Sequence, residues 1–93
     1  MNINIDKQSK TPVYLQIVSQ LKAEIKRGDI KNGATLPSER ALSKILGVHR
    51  NTIIKVYNEL KAEGFVESKQ GIGYMVSFGK EPERPAAAKV ASL

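Results

Sequence analysis

An α+β domain of three helices and a C-terminal β-hairpin is the fold class this sequence predicts, and three observations predict it. Apolar residues recur at helical spacing in three separate runs, each followed closely by a glycine, Gly28, Gly47 and Gly64. The second and third runs are separated by little more than Gly47, Val48 and His49, a turn so short that the helices it joins must cross steeply. After Gly64 the period drops from helical to strict alternation, with a glycine-containing connection of hairpin length in the middle.

The first element is the weakest. Ile3 and Ile5 alternate with polar residues and predict a short strand or an extended arm packed on the domain. Thr11-Pro12 then opens a longer helix, with Thr11 as the candidate cap and Pro12 at the first helical position, where its missing N–H costs nothing. Tyr14, Ile17, Val18, Leu21 and Ile25 form its apolar stripe, and Lys26, Arg27 and Gly28 end it with cations where the helix dipole favours them. Asp29 to Thr35 reads as a loop, because Lys31, Asn32, Gly33 and Ala34 offer no stripe to bury and Asn-Gly signals a turn. Lys22, Lys26 and Lys31 are expected on a solvated face.

Leu36-Pro37-Ser38-Glu39 has the composition of a helix start: a restricted proline, a serine able to cap, and an acid at the positive end of the dipole. Ala41, Leu42, Ile45 and Leu46 supply the stripe of this second helix, which stops at Gly47. Ile53, Val56, Tyr57 and Leu60 supply that of the third, closed by Gly64. Phe65 to Lys69 and Tyr74 to Phe78 are the two strands, joined across Gln70-Gly71-Ile72-Gly73. The domain is placed at residues 1–78. Residues 79–93, GKEPERPAAAKVASL, carry prolines, mixed charge and few large apolar groups, and read as a linker or tail.

Composition narrows the chemistry. Ninety-three residues hold one domain, and 41% hydrophobic content suffices for a core, while 5% aromatic residues and no Trp argue against an aromatic-lined ligand pocket. No cysteine is present, which excludes disulfides, thiolate zinc sites and iron–sulfur clusters and fits the cytoplasm. Fifteen Lys and Arg against nine Asp and Glu give a formal charge of +6, so the expected partner is polyanionic. No stretch approaches the roughly 20 apolar residues of a membrane span, and the first ten residues lack the apolar region of a signal peptide.

His49 is the only histidine. A hydrolase built on it with Ser38 or Ser43 needs a third, orienting group that the sequence does not place, so no catalytic residue and no metal site is expected. Gly71 and Gly73 make a G-x-G without the strand-to-helix context of a nucleotide loop; they read as hairpin glycines. The informative residues open the third helix. Arg50, Asn51 and Thr52 put a cation, an amide and a hydroxyl on its first turn, the groups that read base edges and phosphates. Lys55, further along, offers a point charge suited to a phosphate. Lys69 and Gln70 beside side-chain-free Gly71 suit close approach to a groove or backbone, a reading favoured over that of a plain connection. Arg40, on the first turn of the second helix, is balanced between a surface contact and a pair with Glu39. Tyr14, Tyr57 and Tyr74 are expected in the core with wet hydroxyls.

Taken together, LPSERALSKILGV, HRNTIIKVYNELKAEGFVE and KQGIGYMV resemble the DNA-binding domain of the GntR family of bacterial transcription regulators, over Pro12 to about Phe78. The resemblance implies a winged helix that binds double-stranded DNA, with the helix from Arg50 in the major groove and the wing tip near the minor groove or backbone. It implies DNA contacts at Arg40, at His49, Arg50, Asn51 and Thr52, and at Gly71 with Lys69 and Gln70 beside it. Arg50-Asn51-Thr52 and YNELKAEG look most like the amino-terminal heads of MocR-type members, with YtrA-type members next. A MocR-type architecture would place pyridoxal phosphate (PLP) in a following aminotransferase-like half; this chain itself is expected to hold no cofactor, and the sequence leaves the oligomeric state open, a homodimer among the choices. Two positions depart from the family pattern: His49 stands where Ser or Thr commonly caps the third helix, and Ile54 stands where several relatives carry Arg, the cation coming one residue later at Lys55. The rival reading is a winged helix used only for protein interaction or dimerisation, which would show no salt-dependent affinity for DNA.

Overall fold

The computed structural model describes residues 3–78; the expected tail at 79–93 lies outside them. Helix α1 spans Val13–Arg27, α2 Glu39–Leu46 and α3 Arg50–Ala62, followed by strands β1 (Val66–Lys69) and β2 (Gly73–Val76). The strands pair antiparallel with Val66 opposite Val76 and Lys69 opposite Gly73, so the hairpin turns through Gln70, Gly71 and Ile72.

The core forms where the predicted stripes meet. Ile17, Val18, Leu21 and Ile25 of α1 and Ile53, Val56, Tyr57 and Leu60 of α3 are all buried, joined by Leu36, Leu42, Phe65, Val66 and Val76. Each buried aliphatic side chain contributes roughly 1.5–3 kcal/mol relative to exposure, so α3 is fixed chiefly by its apolar face rather than by propensity. Leu42 alone anchors α2 fully. Ile45, expected in that stripe, is instead 67% exposed. With only eight residues, packed chiefly on α3, the helix buries one narrow side, and Ile45 falls outside it.

Three local expectations are corrected. Thr11 does not cap α1: Pro12 occupies the cap position with ψ 144°, so the helix begins one residue later than expected, and the Pro12 carbonyl accepts from the Leu15 and Gln16 amides. Ser38, by contrast, caps α2 as expected, accepting from the Ala41 amide at 3.0 Å. Residues 33–36 are more than a loop. The Gly33 amide donates to Val76 O, the Val76 amide to Ala34 O and the Leu36 amide to Tyr74 O, all within 2.8–2.9 Å, and Thr35 bridges Met75. This segment covers the free edge of β2. Lys22 is no free solvated charge, since its ammonium donates to Glu63 at 2.6 Å and lies 5.6 Å from the centre of the Phe65 ring, which stacks on Phe78.

The N-terminal alternation is an extended arm, with Ile3 and Ile5 partly buried against the core. Two glutamines of α1 hold it as a neighbouring strand would. Gln20 accepts from the Asn4 amide and donates to the Asn4 carbonyl, and Gln16 does the same for Asp6.

Candidate nucleic-acid interface

The apolar face of α3 fixes which of its side chains meet solvent. With Ile53, Val56, Tyr57 and Leu60 turned inward, Arg50, Asn51 and Lys55 are exposed and Thr52 half-exposed. His49 sits at the N-cap with extended angles but its imidazole caps nothing; its carbonyl takes the Thr52 and Ile53 amides, leaving the ring exposed. The structure therefore brings His49, Arg50, Asn51 and Thr52 onto one helix start, as the sequence predicts.

Arg50 is not free. Its Nη2 lies 3.7 Å from Glu39 Oε1, across the turn between α2 and α3. Glu39 thus pairs with Arg50 and not with Arg40, whose guanidinium has no ion-pair partner among the described residues and whose side chain is exposed. The other Glu39 oxygen accepts from the Tyr74 hydroxyl at 3.3 Å. Burial first, and then the Glu39 carboxylate, push the Tyr74 hydroxyl pKa up, so it stays a donor. The Tyr57 hydroxyl, raised mainly by burial, donates to the Pro37 carbonyl. Tyr57 and Tyr74 lie in contact with ring centres 4.4 Å apart; Tyr57 is core, as expected, and Tyr74 is half-buried. Glu39, expected from the sequence as a helix-dipole acid or a partner for Arg40, is instead the acid beside Arg50.

Lys55 departs from the picture of a free point charge. Its ammonium sits 5.2 Å from the centre of the Tyr14 ring, at a shallow hollow lined by Val13, Tyr14, Asn51 and Thr52. At the hairpin, Lys69, Gln70 and Gly71 are exposed, and Lys69 lies 3.9 Å from Glu67. Gly71 has φ +82°, in the left-handed region, and a Cβ built there meets nothing within 4 Å. Ile72, at the same tip, is 56% exposed. Among the described residues no group of three or more His, Cys, Asp or Glu could hold a metal ion, and no helix is long and apolar enough to cross a membrane.

Two helices joined through Gly47, Val48 and His49, the second opening on exposed polar groups and followed by an antiparallel hairpin, define a winged helix-turn-helix domain. Residues 13–76 match the model of the bacterial regulatory proteins, gntR family, and the chain belongs to that family. It is 43% identical over 75 residues to the HTH-type transcriptional repressor YtrA of Bacillus subtilis (strain 168), covering 81% of this chain and 58% of the repressor. It is 40% identical over 73 residues to the probable rhizopine catabolism regulatory protein MocR of Rhizobium meliloti, covering 78% of this chain and 15% of that protein. The chain thus spans only part of these relatives. Among solved structures, YtrA from Sulfolobus acidocaldarius, a GntR-family transcription factor, superposes with a TM-score of 0.77 at 40% identity, covering 97% of this chain and 93% of that one. The AraR DNA-binding domain in complex with operator ORX1 superposes with a TM-score of 0.70 at 28% identity, covering 82% and 98%.

Proposed function

We propose that this domain binds duplex DNA sequence-specifically as the reading head of a cytoplasmic transcription regulator, with the start of α3 in the major groove and the hairpin tip at the minor groove or backbone. One observation carries the reading: the first turn of α3 presents Arg50, Asn51 and Thr52 outward while the opposite face is locked into the core. A rigidly seated helix start lined with a planar cation, an amide and a hydroxyl matches the donor and acceptor pattern of the major groove. The likeness to a DNA-binding domain solved on its operator supports it. Arg40, His49, Lys55, Lys69, Gln70 and Gly71 complete the proposed contact surface. A homodimer would present two such heads to a two-fold operator. Any cofactor would belong to a following half, not to this domain.

The test separates reading from positioning. An operator is selected from a random duplex pool, and binding of variants to it and to random DNA is followed by fluorescence anisotropy. Arg50→Ala should cost about 1–3 kcal/mol on the operator and much less on random DNA. The half-exposed pair with Glu39, at 3.7 Å, changes that figure by at most about 1 kcal/mol. Lys55→Ala should weaken both DNAs alike and lower the salt slope by about 1. Equal losses for Arg50→Ala on both DNAs would reduce Arg50 to a phosphate contact, and a flat salt response would favour a protein-interaction module.

A further inference from the structure

Arg50 is held from one side by a carboxylate that is itself held. Glu39 opens α2 directly after the capping Ser38, whose hydroxyl takes the Ala41 amide, and the preceding Pro37 carbonyl is bonded by the buried Tyr57 of α3. The backbone on the N-terminal side of Glu39 is therefore pinned to α3. Its side chain is pinned again from the wing, where the Tyr74 hydroxyl of β2 donates to one carboxylate oxygen at 3.3 Å while the other faces Arg50 Nη2 at 3.7 Å. The Glu39 side chain is 24% exposed and that of Arg50 55%, so the acid is the seated member and the guanidinium the one free to swing.

A fixed acid beside a reading arginine has two consequences. It narrows the directions in which the guanidinium fork points before DNA arrives, which lowers the ordering cost of a bidentate contact. It also places a negative charge at the groove-facing surface, which opposes approach of any phosphate not compensated by a correct base contact. Both act on the difference between right and wrong DNA rather than on affinity as a whole.

We propose that Glu39 is a positioning residue for sequence readout, acting through Arg50, and that Tyr74 makes strand β2 of the wing part of the same device. The proposal rests on Arg50 reading a base. It accounts for a carboxylate kept within a basic interface, where it would otherwise only weaken binding.

Glu39→Gln keeps the size and an oxygen able to accept from Tyr74, and removes the charge. Tyr74→Phe keeps the ring on Tyr57 and removes the hydroxyl. Binding of this chain and its variants to the selected operator and to random duplex is measured by anisotropy, each variant also combined with Arg50→Ala, and folding is checked by the melting curve. Glu39→Gln should raise affinity for random DNA and lower the operator-to-random ratio by about threefold to tenfold, the size of coupling seen between residues of one charge network. Tyr74→Phe should lower the ratio in the same direction, by about twofold, with near-native melting. In the Arg50→Ala background neither change should move the ratio. If Arg50→Ala lowers the ratio but Glu39→Gln and Tyr74→Phe leave it unchanged, base reading stands and the positioning role is overturned. If Glu39→Gln lowers the ratio equally without Arg50, the acid acts by another route and the proposal is again overturned. If Arg50→Ala leaves the ratio itself unchanged, base reading by Arg50 fails, and the proposal with it.

Discussion

Replacing Gly71 with valine separates what the hairpin tip contributes to folding from what it contributes to binding. Gly71 has φ +82°, and a Cβ added there has open space around it, so the strain is conformational and not a clash. A non-glycine residue in the left-handed region costs roughly 1–2 kcal/mol, with β-branched valine at the upper end. If the whole fold bore that cost, a domain of this size would lose roughly 4–16 °C in melting temperature. The tip has an easier escape. Next to Gly71 the turn is closed by the Ile72 amide on the Lys69 carbonyl, and opening it relieves the strain for about 1 kcal/mol, well short of global unfolding. The melting temperature of Gly71→Val should therefore fall by no more than about 4–8 °C. Binding should fall further, by about tenfold on operator and random DNA alike, because Lys69 and Gln70 move with the turn. Gly71→Asn is the companion, since asparagine tolerates positive φ. If Asn binds as wild type and Val does not, backbone conformation is what matters; if Asn melts as wild type yet binds as poorly as Val, the missing side chain is what matters. Anisotropy and thermal melts on the three proteins decide between these. Gly71→Val binding within about twofold of wild type, alongside a lowered melting temperature, would refute wing contact.

Two further outcomes concern stability. Tyr57→Phe deletes the hydroxyl bonded to the Pro37 carbonyl at a part-buried site and should cost about 0.5–1.5 kcal/mol, read as a drop of several degrees in a circular-dichroism melt; an unchanged melt would mean the bond contributes nothing net. Glu63 is held below the usual carboxylate range, chiefly by the Lys22 ammonium and then by a hydrogen bond with Glu59, so its contribution is full above that range and is lost as pH falls through the folded value. The melting-temperature difference between wild type and Glu63→Gln should shrink on acidification, and a difference independent of pH would rule out the ion pair as its source.

The apolar face of each helix was legible because burial repeats with the helical period, and Ile17, Leu21, Leu42, Ile53 and Leu60 are fully buried where that period placed them. Gly47 and Gly71 were legible for a different reason: both need positive φ, at 67° and 82°, which few other residues accept. Residues 33–36 were not. They join the edge of β2 through main-chain N–H and C=O groups, which every sequence has, and so leave no side-chain signature. Ile45 misled because a stripe shows which residues are able to be buried, not whether a neighbour reaches them. At the interface, the outward groups of α3 followed from its inward ones. Their partners did not, since Glu39 with Arg50, Tyr74 with Glu39 and Lys55 with Tyr14 meet only once the chain has folded.

The arm clasped by Gln16 and Gln20 behaves as a ruler laid along α1. From Asn4 to Asp6 the arm advances two residues, about 6.6 Å in extended chain, while its partners step back from Gln20 to Gln16, about 6 Å along a helix. One dipeptide of strand thus matches one turn of helix, running the opposite way, and the odd-numbered side chains, Ile3 and Ile5, are delivered inward at each step. A residue inserted between Asn4 and Asp6 destroys that commensurability, because the amide clasps and the two isoleucines can no longer all keep their places. Between Asp6 and Thr11 the chain reverses, and there the Gln16 side-chain amide donates to both the Asp6 and the Thr11 carbonyls while the Ser9 amide donates to Asp6 O. The arm is therefore phased to the helix by pitch, and the glutamine that ends the ruler also anchors the turn that feeds it.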